Sequence, residues 1–205
     1  MNSIRQWKEK PFVTVILVAG NVLIFLLCTF TGEMLYNRGE ISPAFIFDHG
    51  QYYRIFSAMF LHADIQHLVN NMLLLAGLGF MLEKETGHII FPVLYLLSGL
   101  GGQVVSLAYK VYANEWYVSS IGASGAVFGL VGVLLAMSLC FAGKMQNVTW
   151  QRVLFVVVYS LYSGVRAANI DNAAHIGGFM TGFLLGVLFC LLQKMRERRS
   201  YAKRY

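Results

Sequence analysis

Charged residues are scarce in this chain. Of its 205 residues only 13% are Asp, Glu, Lys or Arg, whereas 57% are hydrophobic. Soluble globular domains carry about a quarter charged residues, so the composition argues against a soluble protein. Cysteine is also scarce: Cys28, Cys140 and Cys190 lie in apolar runs, without the spacing of a disulfide framework or a metal site. We interpret them as buried structural thiols.

Signals of a cofactor-dependent or nucleic-acid-binding protein are missing as well. The chain has no internal repeat, low-complexity run or nucleic-acid motif. Its histidines are not part of an H-E-x-x-H pattern and have no accompanying carboxylate, so a zinc site is not predicted. We therefore expect no metal, no other cofactor and no nucleic-acid partner.

Long apolar runs are what the chain does have. Six segments are 17 to 21 residues long, which is about the length that crosses ~30 Å of hydrocarbon at about 1.5 Å per residue. The fifth is the weakest, because Ser160, Ser163 and Gly164 dilute its second half. The sequence predicts an all-α, polytopic membrane protein with six transmembrane helices. The segments cover residues 12–30, 66–82, 89–109, 124–142, 150–167 and 172–192.

The distribution of Lys and Arg predicts the orientation of these helices. With six spans both termini lie on one side, and that side receives twelve of the sixteen basic residues. Because basic residues favour the cytoplasmic side, we expect both termini to be cytoplasmic. The first run is too long for a signal-peptide core and is interpreted as a retained anchor. We divide the chain into a short cytoplasmic N-terminus (1–11), a six-helix membrane domain (12–192) and a basic cytoplasmic tail (193–205) that binds anionic lipids.

Polar residues that are unusual in a membrane protein stand at the starts of three predicted helices. His67 and Asn71 are four residues apart and so share one face of the second helix. Ser124 opens the fourth helix, and His175 lies in the first turn of the sixth, with Asp171 or Asn169 as its cap. The topology places all three starts at the outer face. Ionisable groups inside a membrane bundle are candidates for function.

Glycine spacing predicts that the fourth and sixth helices touch. Two stripes of glycine, spaced three or four residues apart, follow the helix starts. Such stripes permit close approach of two helices, which would bring Ser124 and His175 together. The stripes are Gly125, Gly129 and Gly132 on the fourth helix, and Gly178, Gly182 and Gly186 on the sixth.

Each polar residue also has an ordinary structural explanation. A single serine at a helix start commonly caps the helix or bonds back to its own backbone. His175 could be an interfacial residue, and Asn71 could hydrogen bond between helices. A channel or transporter would need polar residues that continue to the cytoplasmic side, whereas here they stop within the first turns of each helix.

Four motifs, in this order and on these helices, resemble the rhomboid family of intramembrane serine proteases. Any one of them is weak evidence, but together they cover the whole predicted core, about residues 12 to 192. They are Gly122-Ala123-Ser124-Gly125; His62 and His67 followed by Asn71; Gly79, Glu83 and Gly87 at four-residue spacing; and Ala174-His175 with Gly178 and Gly182.

The resemblance implies a Ser–His dyad. Ser124 would be the nucleophile and His175 the general base that takes its proton. The side chains of His67 and Asn71, with the backbone N–H of Ser124, would hold the tetrahedral oxyanion. Gly122 and Gly125 would let the substrate carbonyl approach the backbone.

Other residues would support this site by the same resemblance. Arg54 and His62 would be structural residues of a partly embedded loop between residues 31 and 65, and Glu83 would brace the cytoplasmic turn after the second helix. The fifth helix and the loop around 166–169 would gate the access of substrate. Two departures occur: Tyr53-Arg54 stands where the family has Trp-Arg, and Phe128 stands where Tyr is common beneath the catalytic imidazole. Phe128 keeps the ring face and loses only the hydroxyl.

The sequence thus predicts an intramembrane serine endopeptidase that cleaves transmembrane segments of other membrane proteins near the outer face. Its expected partners are single-span or other membrane proteins and the lipid bilayer. As it resembles a minimal prokaryotic form, we expect it in a bacterial plasma membrane. The alternative is a rhomboid-like protein that binds membrane clients without cleaving them.

Overall fold

The computed structural model describes residues 10–141 and 170–202, together with the single positions 151, 154 and 158 between them. These residues form helices joined by short links. In chain order the elements are α1 (Phe12–Thr31), α2 (Glu33–Gly39), a π-helical turn (Ala44–Asp48), α3 (Arg54–Ser57) with a 3₁₀ turn (Ala58–Phe60), α4 (Ile65–Thr86), α5 (Ile90–Tyr112), α6 (Ser124–Cys140) and α7 (Asn172–Ala202).

Four of these helices are long and apolar enough to cross a membrane, namely α1, α4, α5 and residues Asn172–Arg199 of α7. They confirm the first, second, third and sixth predicted spans. The predicted fourth span is the apolar helix α6, which is shorter, at 17 residues. Apart from three single positions, the predicted fifth span, 150–167, lies outside the described residues, as does the gate around 166–169, so the count of six helices stays a prediction.

Helix α7 extends further than its apolar segment. The predicted span ends at residue 192, but the helix continues to Ala202. Lys, Arg, Gln, Met and Glu dominate this extension, and all are good helix formers. Basic side chains are also favourable near a helix C-terminus, where the helix dipole is negative. The basic tail therefore begins as a continuation of the last helix.

Helix α6 is the centre of the bundle. Every residue from 125 to 138 is buried, as expected for a helix that is apolar on all sides. Side chains of α4 and α5, among them Leu75 and Tyr95, join those of α6 in one hydrophobic core. The first residue of α6, Ser124, lies at the end of the bundle where α4 and α7 begin, as the contacts of Gly122 with His67 and of Gly125 with Ala174 show.

The two glycine stripes meet, as their spacing predicts. A β-carbon built at Gly178 would lie 3.1 Å from the Cα of Gly125, and one at Gly182 would lie 2.7 Å from the Cα of Gly129. Helices α6 and α7 therefore touch backbone to backbone. Side chains between them would force the helices apart.

A buried carboxylate ties α1 to the far end of α4. Glu83 accepts hydrogen bonds from the backbone N–H groups of Val13 (3.0 Å) and Thr14 (2.8 Å), and from the Thr14 hydroxyl (2.6 Å). The Nδ1 atom of His88 lies 2.6 Å from the same carboxylate. A carboxylate at a helix start satisfies N–H groups that have no partner within the helix. Glu83 thus braces the turn after α4 and also fixes the start of α1.

Adding one methyl group to the α6–α7 contact should destabilise the fold. We expect Gly182→Ala to lower the free energy of unfolding by about 1–3 kcal/mol, because its β-carbon has no room beside Gly129. The measurement is unfolding in mixed detergent micelles at increasing SDS fraction. The matched control is Gly77→Ala in α4, where an added β-carbon meets nothing within 4 Å. Equal stability of the two variants would contradict the backbone contact.

Candidate active site

Three helices present the polar residues of interest at one end of the bundle. Ser124 is the first residue of α6, His175 lies in the first turn of α7, and His67 and Asn71 lie in the first two turns of α4. The α6–α7 glycine contact holds two of these helix starts together, and α4 packs on α6 through the shared core. We call this end of the bundle the site end.

Ser124 does not cap its helix. The residue in the cap position is Ala123, and no side chain completes the cap. Within the described part of the chain the Ser124 hydroxyl makes no hydrogen bond, and the side chain is half-buried. The ordinary explanation of a serine at this position, a helix cap, is therefore wrong here.

Gly122 separates Ser124 from His67. Its φ of +135° is strained for any residue with a side chain, and its N–H donates to the carbonyl of Ala58 at 2.8 Å. A β-carbon at Gly122 would lie 2.9 Å from the Nε2 atom of His67 and 3.7 Å from the Oγ atom of Ser124. Gly122 thus leaves open a space that borders both the Ser124 hydroxyl and the imidazole of His67.

Gly125 serves helix packing. It is buried, and a β-carbon there would meet the carbonyl oxygen of Ala174 at 3.3 Å and the Cα of Gly102 at 3.7 Å. The expectation that Gly125 also opens the backbone to substrate stays a prediction. Gly102, on α5, was missed by the sequence analysis. The only signal was the cluster of glycines at 99, 101 and 102.

His175 lies flat on Phe128. The two rings are 4.1 Å apart at an angle of 9°. Phe128 is four residues after Ser124, so the imidazole lies one helical turn beyond the serine on the same face of α6. The two rings thus stack as expected, and the role of Phe128 in orienting a catalytic imidazole stays a prediction.

The Nδ1 atom of His175 has no hydrogen-bond partner among the described residues. The nearest candidate carboxylate, Asp171, is engaged elsewhere: its Oδ1 accepts from the N–H of Ala174 at 2.9 Å, and its Oδ2 accepts from the hydroxyls of Ser106 and Ser120. Asp171 is thus the cap of α7, and it is one of the two caps that the sequence predicted. Its carboxylate does not orient the imidazole directly.

Asp171 keeps its charge despite its surroundings. Burial alone would raise the pKa of this carboxyl, but the hydrogen bonds from Ser106, Ser120 and the Ala174 N–H, with the nearby Lys110 ammonium, lower it below its usual range. A charged carboxylate therefore stands at the N-terminus of α7, where the helix dipole favours it.

Asn71 and His67 face the site from α4. Asn71 is 5% exposed, and its Nδ2 donor has no partner within the described residues. His67 is half-buried, and its backbone N–H is capped by the Asp64 carboxylate at 2.8 Å. The sequence analysis missed Asp64, although an Asp directly before an apolar helix is a common cap.

Two predicted support residues hold the link before α4. His62 is fully buried, and its ring meets that of His67 edge-on at 5.1 Å. Arg54 is buried and donates to the carbonyls of Glu40 and Asn37, both at 2.8 Å. The neighbouring Tyr53 is exposed. Arg54 therefore joins two parts of the link by hydrogen bonds. Tyr53, which stands where the family has Trp, lies on the surface of the link.

The 10–141 and 170–202 stretches contain no group of three His, Cys, Asp or Glu side chains that could hold a metal ion. The histidines make two separate ring contacts instead. His62 supports His67, and His175 rests on Phe128. The chemistry that this arrangement offers is that of a hydroxyl, imidazoles and an unpaired amide donor.

Residues 49–192 match the Rhomboid domain family. RHOMBOID-like protein 2 of Arabidopsis thaliana is 42% identical over 140 residues, which cover 66% of this chain and 42% of that protein. Rhomboid protease GluP of Bacillus subtilis is 31% identical over 179 residues, which cover 85% of this chain and 34% of GluP.

A third relative carries a different description. Inactive rhomboid protein 1 of Danio rerio is 30% identical over 156 residues, which cover 75% of this chain and 18% of that protein. This chain spans less than half the length of each of the three relatives. Similarity therefore assigns the family, while the activity has to be argued from the site.

The burial of His62 should make the stability of the fold depend on pH. Burial and the positive charge that His67 can carry lower the pKa of His62 to about 4, whereas an unfolded histidine has a pKa of about 6.5. The unfolded chain then takes up more protons, so stability is full above about pH 6.5 and falls as the pH drops toward 4. We expect protonation of this one group to lower the free energy of unfolding by about 3 kcal/mol between pH 6.5 and pH 4.

The measurement compares the pH dependence of unfolding in wild type, His62→Gln and His49→Gln. His49 is an exposed histidine of the same link and serves as the control. His62→Gln should flatten the slope between pH 4 and 6.5, and His49→Gln should not. An unchanged slope in His62→Gln would contradict the assignment.

Proposed function

The chain belongs to the rhomboid family, and on that premise we propose that it is an intramembrane serine endopeptidase that cleaves transmembrane segments of other membrane proteins. It is an integral, multi-pass membrane protein, as its family and its apolar helices indicate. Family membership alone does not assign the activity, since one similar protein is described as inactive.

One observation supports the proposal: the glycine contact brings the starts of α6 and α7 together, His175 stacks on Phe128 one turn after Ser124, and Gly122 leaves space that borders both Ser124 and His67. A helix cap would explain the Ser124 hydroxyl alone. Helix packing would not explain why the buried amide of Asn71 has an unpaired donor among the described residues. A hydroxyl nucleophile, an imidazole base and two side-chain donors are together the parts that acyl transfer requires.

The reaction begins when His175 takes the proton of the Ser124 hydroxyl as its oxygen attacks the substrate carbonyl carbon. The hydroxyl and the imidazole are not hydrogen bonded in this structure, and such bonds commonly tighten only when substrate is present. The tetrahedral intermediate collapses to an acyl-enzyme as the protonated His175 gives its proton to the leaving amine. Water then attacks the ester, with His175 taking its proton. The second tetrahedral intermediate releases the carboxylic-acid product as His175 returns the proton to the Ser124 oxygen.

The developing oxyanion has three candidate donors. The backbone N–H of Ser124 is one of the unpaired groups at the start of α6, where the helix dipole favours negative charge. The Nδ2 of Asn71 is buried and unpaired among the described residues, so it is available without breaking a bond. The imidazole of His67 lies beside Gly122 and the serine oxygen.

A dyad suits this site better than a triad. A third acid would have to be buried beside His175, where desolvation makes a carboxylate costly. Stacking on Phe128 orients the imidazole without adding a charge. Asp171 is close in sequence, but its oxygens are occupied by other donors.

The setting of the reaction follows from the orientation. Basic residues favour cytoplasmic termini, which places the site end at the outer face, and we propose cleavage there, in a bacterial plasma membrane. The basic extension of α7 would lie against anionic lipid headgroups. Single-span membrane proteins are the proposed substrates.

The alternative is a rhomboid-like protein that binds membrane clients without cleaving them. The similarity to a protein described as an inactive rhomboid supports this alternative. The presence of both Ser124 and His175 favours the protease. Client binding with no cleavage by the wild type would favour the alternative.

Removing either member of the dyad should abolish cleavage. We expect Ser124→Ala and His175→Ala to reduce cleavage of a single-span substrate to background, because the nucleophile or its base is gone. The assay uses purified protein in detergent, with fluorophosphonate labelling of the serine as a second readout. Ser119→Ala, an exposed serine five residues earlier, is the control and should be unaffected. Cleavage that persists in Ser124→Ala, or that chelators abolish, would sink the serine mechanism.

Removing one oxyanion donor should slow the chemical step. We expect Asn71→Ala to lower kcat by about 10²–10³ with little change in KM, which is the effect of such a loss in other serine hydrolases. Its exposed neighbour Asn70 provides the control Asn70→Ala. An Asn71→Ala enzyme with normal kcat would remove Asn71 from the oxyanion site.

A further inference from the structure

A lysine is buried at the site end, where nothing in the proposed reaction uses it. Lys110 lies in the last turn of α5 and is only 4% exposed. An ammonium group taken out of water is costly unless charged or strongly polar partners surround it. The position of this charge therefore depends on its neighbours.

Its partners come from two other parts of the chain. The ammonium donates to the Ser120 hydroxyl and lies 3.7 Å from Oδ2 of Asp171. The Ser120 hydroxyl donates in turn to the same Oδ2, at 2.5 Å. Ser106, one turn before Lys110 on α5, also donates to it, at 2.5 Å. We call these four residues the Lys110 cluster.

The cluster joins the two segments that lead into the dyad. Ser120 is four residues before Ser124, and its backbone is paired with Ile41 through hydrogen bonds of 2.8 and 3.1 Å. Asp171 is four residues before His175. Its side chain accepts from the Ala174 N–H at 2.9 Å, and its carbonyl accepts from the His175 N–H at 3.2 Å.

We propose that the Lys110 cluster positions His175 relative to Ser124, with Lys110 and Asp171 as positioning residues that touch neither substrate nor the reacting atoms. This inference rests on the proposed protease function. The glycine contact sets the distance between α6 and α7, but glycine backbones have no side chains to fix rotation or sliding of one helix along the other. The cluster supplies that restraint, because Asp171 must stay where Ser120 and Lys110 can both reach it.

Charge suits this task better than apolar packing. Apolar side chains tolerate shifts of register, whereas displacement of α7 would leave Lys110 buried without its counter-ion. Polar and charged pairs are best attested in this role, as devices that fix register at some cost in stability. A small misplacement is enough to matter, since about 1 Å can cost about a hundredfold in rate.

The test is a double-mutant cycle on the full-length protein, read as kcat and KM for a single-span substrate. Lys110→Met and Asp171→Asn each remove one charge at nearly constant volume, and Asn keeps the cap of α7. We expect each substitution to lower kcat about tenfold at unchanged KM. The double variant should be no slower than the single variants, because both substitutions remove the same link.

A variant that changes no charge keeps the test valid if Lys110→Met or Asp171→Asn folds poorly. Ser120→Ala removes only the bridging hydroxyl and should lower kcat at unchanged KM. Ser119→Ala, its exposed neighbour, is the matched control and should leave both constants unchanged. Lys84→Met, at an exposed lysine of α4, controls for loss of a positive charge. All rates are referred to the folded fraction, measured by gel filtration and SDS unfolding.

The outcomes separate this inference from the proposed function. A fall in kcat shared by Lys110→Met, Asp171→Asn and the double variant supports positioning. Normal kcat per folded molecule, fold-changes that multiply in the double variant, or an effect on KM alone would overturn the inference and leave the protease intact. A wild type that neither cleaves substrate nor reacts with the fluorophosphonate would overturn both.

Discussion

Direct contact between the backbones of α6 and α7 is the constraint on which the site depends. Lipid chains are as apolar as leucine, so helices in a bilayer gain little from burying leucine against leucine. They gain from close contact, and the glycine pairs Gly125–Gly178 and Gly129–Gly182 permit the closest contact available. As a result the separation of α6 and α7, and with it the distance between Ser124 and His175, is limited by two rigid backbones without intervening side chains that could change rotamer.

The contact of α4 with this pair is of a different kind. Leu68, Met72 and Leu75 of α4 pack into the core with side chains of α6. Such an interface is less restrictive than backbone contact, since side chains can adjust to small displacements. His67 accordingly receives local support, from the Asp64 cap and the buried ring of His62. The proposed dyad and the proposed oxyanion donors are thus held by two distinct kinds of packing.

Helical periodicity made much of this predictable. Residues three or four apart share a face, so the glycine spacing indicated both the α6–α7 contact and the meeting of Ser124 with His175. The same spacing could not show a third surface, and the packing of Gly102 on Gly125 and Ala174 was missed. Periodicity describes one helix at a time, whereas partners supplied by another element depend on the fold.

Buried polar contacts illustrate the same limit. Arg54 donates to the backbone carbonyl oxygens of Asn37 and Glu40. Every residue has such a carbonyl, so the sequence does not show which residues the guanidinium binds. Ser120 looked interchangeable with Ser119 until the structure placed one beside Lys110 and the other on the surface. The Lys110 cluster could therefore not be read from the sequence, although all of its members are visible there.

Buried charged side chains stabilise the fold, whereas the unpaired polar atoms of the candidate site belong to neutral groups. Three charged side chains are buried in the described part of the chain, Arg54, Glu83 and Lys110, and each has several polar partners. Leaving any of them unpaired would cost several kcal/mol, on the order of 3–5. Neutral polar atoms are less costly to leave unpaired, and the core contains some, including the hydroxyls of Tyr95 and Ser98.

A missing partner therefore does not mark a functional residue by itself. Asn71 and His175 differ from Tyr95 and Ser98 because their unpaired atoms belong to residues in the first two turns of helices, close to helix ends where unpaired backbone N–H groups and a positive dipole end are also present. In the proposed reaction, a substrate carbonyl oxygen and the proton of the Ser124 hydroxyl would complete the bonds that the protein leaves open there. Convergence of unpaired groups at helix starts, and not any single unpaired atom, is what distinguishes the candidate active site from the rest of the polar core.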